Sequence, residues 1–368
     1  MIIFILILVA IICSGLSVAK KGEFFADYMS PKNTSTINAI FSVLIFISHA
    51  TNYIGNQNLT GALDEPYVSL KVFLHQLVVV TYLFFSGFGI MESIKKKGTA
   101  YVKAMPVNRL FKLWYHFAIV IVLYTIVRIG IMGVKYSLKD YLLAYTGYTT
   151  IGNSNWYLFV TFALYIIVIV SFLIFKKSKV LATGFVCILS VLFIIFERKM
   201  GLPTQNYNTV ICFPLGMIYS LAKPYIDKIL MKNDLIWYTG FTASVAVFAF
   251  FSRNRYGLIE LKNPLLDEIA SFVSYEFFVC AALIMLATGM MKINIKSSVL
   301  DWFGEHIFSF FILQRIPMLL LRYFGYAYNS YVFVILSFFG TIVMCMFYDE
   351  AMDRLDKIIF KKRVKKQV

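Results

Sequence analysis

Three residues able to do acid–base or charge-stabilising chemistry lie where the surrounding sequence is apolar: His49 behind Ile47, Arg315 ahead of Ile316, and Glu276 within the run 269–291. An ionisable side chain in hydrocarbon costs several kcal/mol unless it faces protein or water, so each marks a candidate functional position. At about 1.5 Å of helical rise per residue, His49 lies roughly 20 Å along its helix and Arg315 roughly 24 Å along its own. Glu276 enters from the opposite side by about 10 Å, which brings it to a similar level. Arg128 sits somewhat further out on its helix, and Asn52, Trp156 and Gln314 fall at comparable depths. A second polar group, Ser86, Gly87, Glu92, Arg109, Lys112 and His116, gathers toward the other end of the helices. Two polar levels in one bundle suggest passage of a chemical group from one side to the other. The plainer reading is snorkelling or a structural ion pair, and it weighs most on Glu92, Arg109 and Lys112. His75, near Lys71, and His306, beside Glu305, read as structural.

The elements that position these residues follow from composition. Of 368 residues, 60% are hydrophobic and 15% charged, which excludes a water-soluble enzyme. Mean hydropathy is +0.76. Apolar runs at 2–19, 36–54, 70–91, 109–134, 155–175, 180–196, 207–222, 236–251, 269–291, 299–321 and 330–347 predict eleven spanning helices, an all-α polytopic membrane bundle. Residues 1–19 form an N-terminal helix followed by Lys20 and Lys21, with no basic stretch ahead of it, and so read as a retained helix. Residues 348–368 form a basic tail expected to lie on anionic lipid. Alternating the loops across the membrane puts 24 Lys and Arg on one side and 9 on the other, with Arg128 and Arg315 inside helices. That bias predicts an outside N-terminus and a cytoplasmic C-terminus, and it accounts for the net charge of +16 without nucleic acid. The five cysteines include no C-x-x-C pair and no metal spacing with the four histidines, so no metal is expected. Asn33-Thr34-Ser35 and Asn58-Leu59-Thr60 match a glycosylation pattern too short to carry weight.

Several segments, in order, resemble one family. The helix Thr36 to Ser48 ending in His49, the stretch Phe84-Phe85-Ser86-Gly87-Phe88, the basic entry Arg109-Leu110-Phe111-Lys112, the Trp156-Tyr157-Leu158 helix through Tyr165, and Phe303-Gly304-Glu305 through Gln314 are similar to signatures of the acyltransferase type 3 family of membrane acyltransferases. The resemblance covers residues 36–347. It implies a ten-helix core, here with one extra helix in front. It also implies transfer of an acyl group, commonly acetyl from acetyl-coenzyme A, to a hydroxyl of a cell-surface or exopolysaccharide glycan or its lipid-linked precursor. Two positions depart from the pattern. Asn38 stands eleven residues before His49 where the family usually has Arg or Lys, and Gln314 stands where the final signature often has His. The departures point either to Arg315 or Arg128 as carriers of the basic function, or to a different donor or acceptor.

Within that reading His49 is the general base, because an imidazole titrates near neutral pH. Glu276 would hold its tautomer. Arg315, with five fixed donors, suits an oxyanion or a sugar, while Arg109 and Lys112, with Ser86 and His116, suit the coenzyme A phosphates. Asn52, Arg128, Trp156 and Gln314 are expected around the carbohydrate acceptor. Acyl-CoA, the acceptor and membrane lipid are the expected partners, with no permanently bound cofactor. The leading alternative is a transporter or flippase of lipid-linked glycans, which performs no covalent step. Such a protein is expected to show symmetric halves or matched broken helices, and neither is visible. A glycan polymerase would hold its acceptor in a large outer loop, whereas the longest here run only over 55–69, 135–154 and 252–268.

Overall fold

The computed structural model describes residues 1–55, 59, 61, 64–257, 263–327 and 329–364. Parts of the Asn58-Leu59-Thr60 pattern, together with Lys262, Lys365 and Lys366, lie outside the described residues. Each of the eleven predicted runs contains helix, although 16–18 of the first is strand and 207–211 of the seventh is turn, and the protein is an all-α membrane bundle. Among the described residues, seven helical stretches are long and apolar enough, by length and composition, to cross a membrane. Two antiparallel three-residue strands are the addition to this pattern. β1 (Leu16–Val18) pairs with β2 (Ile293–Ile295), and tethers the short first helix, α1 (Ile2–Gly15), to the bundle.

The helix carrying His49, α2 (Pro31–Ile54), starts where Ser30 accepts from the Asn33 amide at 3.3 Å, with Pro31 at the first position. It ends at Gly55, whose φ of 89° a side chain would resist. The expected third helix is broken in two, α3 (Glu65–Leu74) and α4 (Leu77–Met105), at His75, which is held at φ 35°. α4 continues well past its apolar run. Pro106 then removes a backbone donor, and the chain widens into a π-helical turn over Pro106–Phe111 before α5 (Lys112–Thr125). A second π-turn, Ile126–Ile131, follows α5. Beyond a short helix α6 (Leu138–Ala144), capped by Ser137, the chain forms α7 (Trp156–Ile174), α8 (Lys179–Lys199), α9 (Cys212–Leu230), α10 (Asp234–Arg253) and α11 (Pro264–Met290).

The predicted helix at 299–321 is three pieces, α12 (Ser298–Glu305), α13 (Ile307–Leu313) and α14 (Arg315–Tyr323). Pro317 has no N–H for the Leu313 carbonyl, and the helix breaks just ahead of it at Gln314. At the break the Ile312 carbonyl accepts from Tyr124 Oη at 3.0 Å. The last helix, α15 (Ser330–Val364), runs 35 residues, so the predicted tail continues it as helix.

The core splits into two packed groups. α4 and α9 cross where Gly87 and Gly216 meet: a Cβ on Gly87 would overlap the Phe213 carbonyl, and one on Gly216 the Phe84 carbonyl. The helix carrying Ser86 therefore lies backbone to backbone on α9. His49, Arg315, α5 and α15 belong to the other group, around Phe46, Phe310 and Phe338.

Candidate active site

α2 and α14 bring His49 and Arg315 together. The Arg315 Nη2 atom lies 3.4 Å from His49 Nε2. A guanidinium only donates, so this approach places a lone pair, not a proton, on Nε2. His49 Nδ1 and Arg315 Nε are buried without a partner. The buried Gln314 amide sits beside the ring; its Nε2 donates to the Phe311 carbonyl at 2.9 Å and its Oε1 has no partner. The Phe311 ring closes the other side, 6.5 Å from the imidazole.

Glu276 does not join them. It lies on α11 among Cys212, Cys280 and Tyr275, in the second core group, and both its oxygens are buried without a partner. Equal depth does not imply contact, because depth along a helix says nothing of which way the helix faces. No described carboxylate forms an ion pair with His49.

Arg128 stands in the second π-turn and donates from Nε to Tyr136 Oη at 2.9 Å. Its aliphatic stem packs against Gly152, which also touches Leu319 of α14, so Arg128 belongs to the Arg315 level. Tyr53, one turn beyond His49 on α2, lies within electrostatic reach of Arg128, Arg315 and Arg322. Asn52 is drawn aside: its Oδ1 accepts from Lys71 Nζ at 2.7 Å, and Lys71 also reaches Thr51. Trp156 starts α7 with its ring 6.0 Å from that of Tyr157.

At the other level the structure separates what the sequence grouped. Arg109 sits in the first π-turn, donates to Tyr101 Oη at 3.2 Å and lies near Tyr165, whose hydroxyl is 3.3 Å from Ser86 Oγ. Lys112 and His116 turn instead to Asp356 of α15, at 2.5 Å and 3.1 Å, and the Tyr115 hydroxyl joins the same carboxylate. Glu92 is tied to Lys95 at 2.6 Å and to Ser220 at 2.7 Å. His306 pairs with Asp349 at 2.5 Å, while His75 meets Tyr275 at 3.3 Å. Lys112 and His116 thus fasten α5 to α15, which leaves Arg109 and Ser86 as the polar pair at this end.

A cavity of about 180 Å³ lies between the two levels, lined among others by Tyr82, Tyr157, Thr161, Tyr165 and Phe311 and reaching a neighbour of each level. Tyr165 is the residue near Arg109, and Phe311 is the residue against His49. Tyr157 also lines the cavity, with its ring 5.6 Å from Phe311 and 6.0 Å from Tyr82. Tyr82 in turn donates to the Asn38 carbonyl and meets Ser42 at 2.6 Å, while Asn38 Oδ1 has no partner. The site is two polar levels with an aromatic-lined cavity between them, and a base-capable His lies 3.4 Å from an Arg at one level.

The order of these features along the chain matches a known domain. The type 3 family model described as an acyltransferase domain covers residues 36–349. The chain belongs to that family. It is therefore a membrane acyltransferase, and α1 precedes the matched region. No curated protein and no solved structure matches the chain. Sequence reasoning missed Tyr53, Tyr124, Arg322 and Asp356. For Tyr53 a signal existed: it stands four residues after His49, on the same helix face.

Proposed function

We propose that this acyltransferase takes an acetyl group from acetyl-coenzyme A at the Arg109 level and passes it to a carbohydrate hydroxyl at the His49 level. The observation that carries this reading is the aromatic cavity running from Tyr165, beside Arg109 and Ser86, to Phe311, against His49. Arg109 suits a donor phosphate, and the passage suits the thin, neutral arm that ends in the thioester. At the far end Arg315 turns from His49 Nε2 to the acyl oxygen, and the freed Nε2 lone pair takes the acceptor proton as the hydroxyl oxygen attacks the acyl carbon. Protonation puts a second positive charge beside Arg315. The negative charge forming on the acyl oxygen in the same step offsets it, so base and oxyanion site act as one unit without Glu276. Collapse of the intermediate releases the thiolate, and the ester leaves with the acceptor.

The glycan belongs to the cell surface or to its lipid-linked precursor, and the Lys and Arg bias of the loops supports a cytoplasmic Arg109 level. Comparing the acetyl content of surface polysaccharide in cells with and without this chain tests the reading. A fall in glycan-bound acetyl is expected. Unchanged acetylation with altered export of the glycan would point to transport instead.

A further inference from the structure

The Arg315 level carries more positive charge than acyl transfer requires. Arg315, Leu319 and Arg322 fall at i, i+4 and i+7 and so share one face of α14. Leu319 Cδ1 and Arg128 Cδ both pack on Gly152, at 3.2 Å and 3.3 Å from where its Cβ would stand, which brings the third guanidinium to the same face. Tyr53 lies within reach of all three. None of the three arginines forms an ion pair among the described residues. Their protein partners are neutral: Tyr136 and Met132 for Arg128, and His49 for Arg315. Directly after Gly152, Asn153 and Ser154 are 1% and 3% exposed, yet Asn153 Nδ2 and Ser154 Oγ have no partner. Three guanidiniums without a carboxylate among the described residues, beside buried donors without acceptors, make a site whose chemistry suits an anion.

We propose that Arg128, Arg315 and Arg322 bind an anionic group on the acceptor, so that the substrate is an acidic glycan, its charge a sugar carboxylate or the phosphate through which the glycan is attached to its carrier. The identity of the ligand as acceptor rests on the acyltransferase reading; the anion site itself does not. Arg322, exposed at the end of α14, meets the anion first. Arg128 and the Asn153-Ser154 pair hold it, and Arg315 remains shared with the reacting carbonyl. Charge on the acceptor then places a neighbouring hydroxyl at His49.

The full chain, purified in detergent, is titrated with tetragalacturonate, with its fully methyl-esterified form and with inorganic pyrophosphate. At least one of the two anions is expected to bind about tenfold more tightly than the neutral ester, and which one does so identifies the source of the charge. Arg322→Gln, at an exposed position, and Arg128→Gln are each expected to weaken that binding about tenfold, while Arg128→Lys restores part of it. Equal binding of ester and anion, no binding of either anion, or an anion affinity indifferent to both glutamine variants would overturn the proposal. His49→Ala separates this from the acyltransferase reading: it is expected to keep anion binding and to lose transfer. Transfer surviving in His49→Ala would sink the base assignment and leave the anion site standing.

Discussion

Replacing His49 with Ala is expected to reduce acyl transfer by 10²- to 10⁴-fold while membrane abundance stays near normal, since a positioned base contributes about that much. Quantitative blotting beside a transfer assay checks it, and more than about a tenth of the activity remaining would remove His49 from the chemistry. Arg109→Ala and Arg315→Ala are expected to differ in kind. Loss of a donor-phosphate contact raises KM for acetyl-coenzyme A, whereas loss of the oxyanion contact lowers kcat. Steady-state kinetics with varied donor tests the split, and identical profiles would contradict it. At this scale the sequence was legible where one number sufficed. Depth along a helix brought His49 to Arg315, now 3.4 Å apart, because an apolar run fixes rise. It misplaced Glu276 relative to His49, and grouped Lys112 with Arg109, because rise leaves the azimuth open. Asp356, the residue that takes Lys112 and His116, stood in a tail with no apolar pattern to announce its direction.

The elements show why local reading found the helices but not their breaks. Apolar runs locate a span; they do not show that Pro317 divides one at Gln314, or that π-turns over Pro106–Phe111 and Ile126–Ile131 redirect Arg109 and Arg128. An extra residue in a turn shifts every following side chain around the axis, so both arginines escape a periodicity of 3.6. The Ser86-Gly87 pair acquires a physical role in the same way. Gly87→Ala and Gly216→Ala should each force α4 and α9 apart, lowering stability by about 1–3 kcal/mol as overpacking does. Gly184→Ala, on α8 with nothing within 4 Å of its would-be Cβ, should leave stability unchanged or raise it by up to about 1 kcal/mol. Thermal unfolding in one detergent compares the three, and a destabilisation of Gly184→Ala equal to that of Gly87→Ala would mean the α4–α9 crossing is not the cause.

For the whole molecule, the all-α bundle was legible because few other architectures bury so apolar a chain, and because the backbone of a spanning segment must satisfy its own hydrogen bonds. The β1–β2 tether was not legible, since three residues on each side carry no pattern. The loop charge of 24 against 9 predicts that reporter fusions after Lys179 and at the C-terminus read as cytoplasmic and a fusion near Asp64 as exterior. A cytoplasmic reading at Asp64 would place the His49 level on the wrong side. The central claim is that donor and acceptor occupy opposite ends of one passage. Proteoliposomes of known orientation, given radiolabelled acetyl-coenzyme A on one side and a glycan acceptor on the other, test it most directly. The account predicts labelled glycan only when the donor faces the Arg109 end and the acceptor the Arg315 end. Equal labelling with both substrates confined to the Arg109 side would contradict it.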